Sequence, residues 1–241
     1  MAGHSHWANI QRTKSKMDAK RGRIFSKWAK LIMSAARQGG GDPNANLALR
    51  YAIERARADN MPKDSIARAI KKGTGEAGGA QFEEVIYEGY GPGGVALLIE
   101  ALTDNRNRTA PDLRHIMDRR GGNLGASGSV AWIFDRKATF AIAKEGVEED
   151  ELIEVALEAG AEDVTTDEEG IFGVVADPGD FMDVKAAFEE RGYSLEEAAL
   201  RYIPKNTVEV DATTGKKLVE LIDALEDNDD IQGVHNNAEF A

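Results

Sequence analysis

The sequence predicts an α+β fold, a small N-terminal helical bundle followed by two α/β sandwiches, one inserted in the other. Three observations carry that expectation. Apolar residues recur at helical spacing up to residue 72. Strand-like stretches separated by Gly/Pro turns begin after residue 80. One complete strand–helix–strand–strand–helix–strand run lies between two segments that supply the parts of a second such unit.

The elements follow in order. From Arg23 to Arg37, Ile24, Phe25, Trp28, Leu31, Ile32 and Ala35 share one helix face, and Arg23, Lys27, Lys30, Ser34 and Arg37 the other. Gly39-Gly40-Gly41 stops that helix and Asp42-Pro43 starts the next. It reaches about Ala58 and buries Leu49, Ala52, Ile53 and Ala56. After Asn60-Met61-Pro62 a third helix places Ile66 and Ile70 inward and runs to Lys72, with Gly73 as its C′ residue. The first twenty or so residues lack apolar spacing and read as an extended arm.

Past a Gly-rich linker, residues 82–88 and 95–102 read as strands around the turn GYGPGG. A helix follows at about 109–120, with Thr109 and Asp112 as a capping pair and Pro111 in the first turn. SVAWIFD, 129–135, reads as the next strand. Residues 138–203 then complete the split βαβ, ferredoxin-like order. GKKLVELIDALE and a strand near Ile231–Asn236 close the outer unit. The expected domains are therefore 1–80, the basic arm and bundle; 81–136 plus 205–241, a discontinuous ferredoxin-like domain; and 137–204, the inserted ferredoxin-like domain.

Composition narrows the function classes. The 241 residues hold ordinary apolar content and no run long enough to span a membrane. No apolar segment follows the positive N-terminus, so no secretory signal is expected. The absence of cysteine excludes disulfides, thiolate metal sites and Cys nucleophiles, and suits a reducing cytoplasm. The charge is strongly divided. Through Lys72 there are sixteen Lys and Arg against five Asp and Glu, a formal +11; the remainder has fourteen against thirty-seven, a formal −23.

Motif matches for small-molecule chemistry fail on context. GTGEAG (73–78) follows a helix instead of a strand, and GYGPGG (89–94) leads into a strand instead of a helix, so neither is a dinucleotide loop. GKK (215–217) lacks the upstream glycine of a P-loop. The histidines have no zinc spacing. Removal of Met1 would leave Ala-Gly-His, whose amine, amides and imidazole suit square-planar Cu(II) or Ni(II), yet His4, His6 and Trp7 are better read as partner contacts. EDNDD (226–230) resembles a loose cation loop without EF-hand spacing. No nucleophile, base and orienting acid converge. A catalytic site, a metal centre and a cofactor are not expected.

The basic residues carry the strongest signal. Lys14, Lys16, Lys20, Arg21 and Arg23 on the arm, with Lys27, Lys30 and Arg37 on the first helix, read as one continuous positive surface for a phosphate backbone. A second cluster is TDNRNRTAPDLR (103–114), at a helix start that favours anions. There Arg106 and Arg108 supply charge, and Asn105 and Asn107 can bond sugar or base edges. Arg119 and Arg120 follow beside a flexible Gly-rich loop (121–129), and these four arginines have no acids opposite them in the local sequence.

Six stretches in one order, AGHSHWANIQ, DAKRGRIFSK, GGGDPNAN, YEGYGPGG, DNRNRT and GGNLGASGSVAW, strongly resemble the YebC family, which includes the mitochondrial translational activator of cytochrome oxidase subunit one. His6 stands where that family usually has Lys, and Met117 where it has an aromatic residue. The resemblance implies a non-enzymatic, three-domain protein that begins without a presequence and works in the bacterial cytoplasm. The family is commonly described as DNA-binding transcriptional regulators, whereas its mitochondrial branch implies translation, and bacterial members resemble ribosome-associated factors that relieve stalling at proline-rich stretches. The residues leave both partners open. A helix-turn-helix made by the second and third helices would present Lys63, Arg68, Lys71 and Lys72 to DNA, but few side chains for base readout. A basic arm with Arg/Asn loops suits structured RNA, so ribosomal RNA on the ribosome is favoured and DNA is the alternative. A protein-only adaptor using the acidic domains is a third class. No membrane partner is expected, and no pattern specifies an oligomeric state.

Overall fold

The computed structural model describes residues 21–75, 81–166 and 170–240. The expected arm contacts Lys14, Lys16 and Lys20, with His4, His6 and Trp7, lie outside the described residues.

Three amphipathic helices, α1 (Arg21–Gly39), α2 (Leu47–Ala58) and α3 (Lys63–Thr74), bury Ile32, Leu49, Ala52, Ile53, Ile66 and Ala69 against one another. α2 buries the four residues its spacing predicts. Its start is different: Asn46, not Asp42-Pro43, is the N-cap. Asn46 Oδ1 accepts the Leu49 N–H at 3.0 Å, while Nδ2 donates to the Ala35 and Gly40 carbonyls at 2.8 and 2.9 Å. One buried amide thus closes one helix and opens the next. Two further expectations are corrected. Ser34, assigned to the polar face, is buried, and Gly73, read as a cap, lies inside α3. A Cβ on Gly73 would sit 2.5 Å from the Met33 carbonyl oxygen and 2.8 Å from Ala36 Cβ. Lacking that atom, α3 closes on α1 and covers its edge.

The chain continues through β1 (Glu83–Tyr90), β2 (Ala96–Thr103), α4 (Arg106–Arg119), β3 (Asn123–Leu124), β4 (Phe134–Ala143) and α5 (Glu149–Glu158). It then forms β5 (Ala161–Thr165), β6 (Ile171–Ala176), α6 (Phe181–Glu190), β7 (Leu195–Pro204), β8 (Val208–Val210), α7 (Ala212–Glu226), β9 (Ile231–Asn236) and β10 (Ala238–Phe240). The described residues divide into two compact units, one spanning 21–130 and 211–236, the other 131–210 and 237–240.

In the first unit the sheet order is β3-β1-β2-β9, all antiparallel. β2 and β3 therefore run the same way with β1 between them, a split βαβ through α4. In the second unit the order is β5-β6-β4-β7, again all antiparallel, and β4 and β5 flank β6 in the same sense. Both sheets share the ferredoxin-like layout, although in the first β1 precedes the βαβ unit in the chain. Phe140 from β4 stacks on Phe181 and meets Phe188 edge-on, at ring distances of 5.3 and 5.6 Å. β8 and β10 add a small parallel ribbon that the sequence pattern did not reveal.

SVAWIFD does not form the outer sheet's third strand. Ala131–Ile133 is a 3₁₀ turn, and Phe134 opens β4, one continuous strand of the second unit. The first sheet instead takes β3 from the stretch expected to be a flexible Gly-rich loop. Gly89 allows this, because a Cβ there would overlap the Asn123 carbonyl. The loop is also held: buried Glu88 accepts N–H groups of Gly128 and Val130 at 2.6 and 2.7 Å. Met117 fills the space beside Gly89 and is fully buried. Among the described residues, no helix is long and apolar enough to cross a membrane.

Candidate nucleic-acid interface

The last carbonyls of a helix lack N–H partners and carry the negative end of its dipole. α7 ends in this way at Glu226, followed by the acidic Asp227, Asp229 and Asp230. The cations of α1 meet that end. Arg23 pairs with Asp227 at 3.1 Å, and Lys27 Nζ donates to the Glu226 carbonyl at 2.8 Å. Lys30 Nζ donates to the Asp229 carbonyl and to Asp230 Oδ1, both at 2.9 Å. The expected continuous positive surface on α1 is thus corrected: much of it is neutralised within the molecule. EDNDD, read as a loose cation loop, accepts side-chain cations at separate points.

Asp230 is the centre of this contact. Its side chain is 7% exposed, and Oδ2 accepts from Arg108 Nη2 at 2.7 Å, Thr109 Oγ1 at 2.8 Å and Thr103 Oγ1 at 3.3 Å. Its own carbonyl accepts the Leu102 N–H at 2.7 Å. Burial raises the carboxyl pKa, but hydrogen bonds from Arg108, Lys30 and Thr109 outweigh it and hold the group at about 2. The same bonds, with Asp104, keep the Arg108 guanidinium more firmly charged than usual.

The second expected cluster is divided by this network. α4 begins at Arg106, not near Thr109, because Asn105 Oδ1 caps it by accepting the Arg108 N–H at 3.1 Å. Thr109 belongs to the Asp230 network, and Pro111 sits beyond the first turn. Nor are the arginines without opposing acids: Arg106 faces Glu83 at 3.7 Å, and Arg108 bridges Asp104 and Asp230 at 3.0 and 2.7 Å. Asn107 is exposed. Arg119 and Arg120 are exposed at the far end of α4 and have no side-chain partner among the described residues. Arg21 opens α1, and Arg37 is exposed in its last turn.

Sequence reasoning placed Asp230 in a loose cation loop and Thr103 at the edge of the Arg/Asn cluster without joining them, since the ion pair with Lys30 spans 200 positions. The available signal was an acidic run just beyond a helix end, complementary to a cationic helix face. On α3, Lys63, Lys71 and Lys72 are exposed without an acidic partner among the described residues, while Arg68 turns back to Ser65 Oγ at 3.1 Å and the Asp64 carbonyl at 3.3 Å.

Comparison with known proteins covers nearly the whole chain. Residues 5–76 match the family profile described as TACO1/YebC protein N-terminal domain, and residues 82–238 match TACO1/YebC second and third domain. A probable transcriptional regulatory protein of Caldanaerobacter subterraneus subsp. tengcongensis is 55% identical over 241 residues, covering 100% of this chain and 99% of the relative. One of Treponema denticola with the same name is 53% identical over 240 residues, covering 100% and 97%. The crystal structure of a conserved hypothetical protein from Aquifex aeolicus matches with a TM-score of 0.83 and 46% identity, covering 94% of this chain and 93% of that one.

Proposed function

The chain belongs to the TACO1/YebC family, and from that premise we propose that it is a non-enzymatic, nucleic-acid-binding regulator of gene expression acting on the ribosome. In this reading it works in the cytoplasm, holds structured RNA through its basic segments and assists synthesis of proline-rich stretches. The arm and bundle (1–80) are the principal RNA-binding domain. The two ferredoxin-like domains follow it, which we place at 81–130 plus 211–236 and at 131–210.

The exposed face of α3 is the observation that carries the choice of RNA. Lys63, Lys71 and Lys72 stand ready for phosphates, whereas Arg68 is engaged with its own helix and no Asn or Gln is present to read a base edge. Such a face recognises backbone and shape rather than sequence. The test is sucrose-gradient sedimentation of cell lysate with and without RNase. Co-migration with ribosomal particles, lost when Lys14, Lys16 and Lys20 are changed to Gln, supports the reading; protein remaining at the top of the gradient refutes it.

A DNA-binding transcriptional regulator is the second reading. The α2–α3 pair, joined through Asn60 at φ 63°, and the name borne by the relatives favour it. Promoter occupancy in cells with no ribosomal association is its signature.

A further inference from the structure

Resting on the RNA reading, we infer a second RNA-backbone site on the first unit, where the C-terminal end of α4 meets the first turn of α7. α4 follows β2 and returns toward the Tyr90 end of the sheet. The β2–β9 register, Leu97 opposite Asn236 and Ala101 opposite Ile231, brings the start of α7 to that same end. Two glycines close the arrangement. A Cβ on Gly91 would lie 2.9 Å from Leu218 Cδ1, and one on Gly122 3.1 Å from Leu221 Cδ2. Arg119, Arg120, Lys216 and Lys217 therefore share one end of the sandwich, opposite the Asp230 network.

All four are exposed; Lys217 lies within electrostatic reach of Asp211, and the other three have no side-chain partner among the described residues. Elsewhere in this unit Arg23, Lys30, Arg106 and Arg108 each face a carboxylate. The acids near this end are Asp118, Asp211 and Glu220; Asp211 accepts the Thr214 N–H at 2.7 Å and is only partly answered by Lys217. In a chain with 42 acidic and 30 basic residues, four exposed cations at one end, three of them without a partner among the described residues, mark a surface for an external polyanion. Packed helix axes lie roughly 8–10 Å apart, so the charges are spread to meet successive phosphates of one strand, not a single enclosed nucleotide. Exposed Asn123 beside them supplies a donor and an acceptor for a ribose 2′-OH.

The experiment measures anisotropy of a fluorescein-labelled RNA hairpin, and of duplex DNA of matching length, with the full chain from roughly 50 to 200 mM salt. Lys216→Gln/Lys217→Gln and Arg119→Gln/Arg120→Gln are compared with Lys185→Gln, a control in the second unit. Each double variant is expected to flatten the RNA slope of log K against log salt by about 1.5 and weaken binding on the order of tenfold, with an unchanged melting temperature. The control should bind as wild type does. Wild-type slopes in both double variants overturn this site while leaving the RNA reading intact, and a loss confined to DNA overturns the choice of occupant. Failure of the wild-type chain to bind the hairpin overturns the RNA reading itself, and this site with it.

Discussion

Asp230→Asn keeps the shape of the side chain and removes its charge, so it isolates the electrostatic part of the contact between α1, α4 and the α7–β9 loop. A carboxyl held at about 2 against an ordinary value of 3.8 contributes roughly 2 kcal/mol to the native state at neutral pH. The side chain is only 7% exposed, so solvent screening discounts this little. The loss should not reach the upper range for broken buried pairs, because Arg108 retains Asp104 and Lys30 retains the Asp229 carbonyl. We therefore expect a loss of about 2–3 kcal/mol at pH 7. The sign follows from the depressed pKa: the contribution is complete above the ordinary carboxylate range and is lost as pH falls through about 2. At pH 3 it should have dropped to roughly half of that neutral-pH contribution. Urea unfolding of wild type and variant at several pH values reads the difference directly. A variant within about 0.5 kcal/mol of wild type at pH 7, or a gap that stays constant down to pH 3, would refute the reasoning.

Other perturbations test separate parts of the account. Glu88→Ala strands the buried N–H of Val130 and frees the part-buried N–H of Gly128, and should cost about 1–3 kcal/mol; amide exchange should speed up across 125–130 before it changes in α1. Gly73→Val forces a side chain against the Met33 carbonyl and should lower stability by about 1–3 kcal/mol or more in chemical denaturation. Asn46→Ala removes a cap and two carbonyl contacts, for an expected loss of about 2 kcal/mol in the same assay. Arg106→Gln, whose ion pair is long and exposed, should change stability by less than about 1 kcal/mol.

Where periodicity is long and local, the sequence was readable. β9 occupies its expected position, α2 ends and buries the residues as expected, and the strand–helix order of 138–203 follows from alternation and apolar spacing. β3 has two residues, too few for any period, and its pairing depends on Gly89 leaving room for a strand more than thirty residues later. The split of 129–143 into two strands failed, because Ala131–Ile133 is a 3₁₀ turn and Phe134–Ala143 one continuous strand through the expected break. For the candidate site, local sequence identified the cations but not their answering groups. Arg108 finds Asp230 122 positions away, and only the return of α7 and β9 to the first sheet brings the two together. Arg119 and Arg120 escaped this pairing because they lie at the opposite end of α4.

The distance along the chain between Lys30 and Asp230 also fixes an order of events during synthesis. α1 leaves the ribosome early, whereas the acidic turn that receives its cations is translated 200 residues later. At about 5–20 residues per second, that interval lasts roughly 10–40 s. Throughout it the bundle carries Arg23, Lys27 and Lys30 without the α7 end to neutralise them. The newborn chain is therefore more cationic at its surface than the finished protein, beside the most concentrated source of RNA phosphate in the cell. Completion of the C-terminal segment withdraws those charges, leaving the matured molecule with a narrower basic surface than the one with which it began.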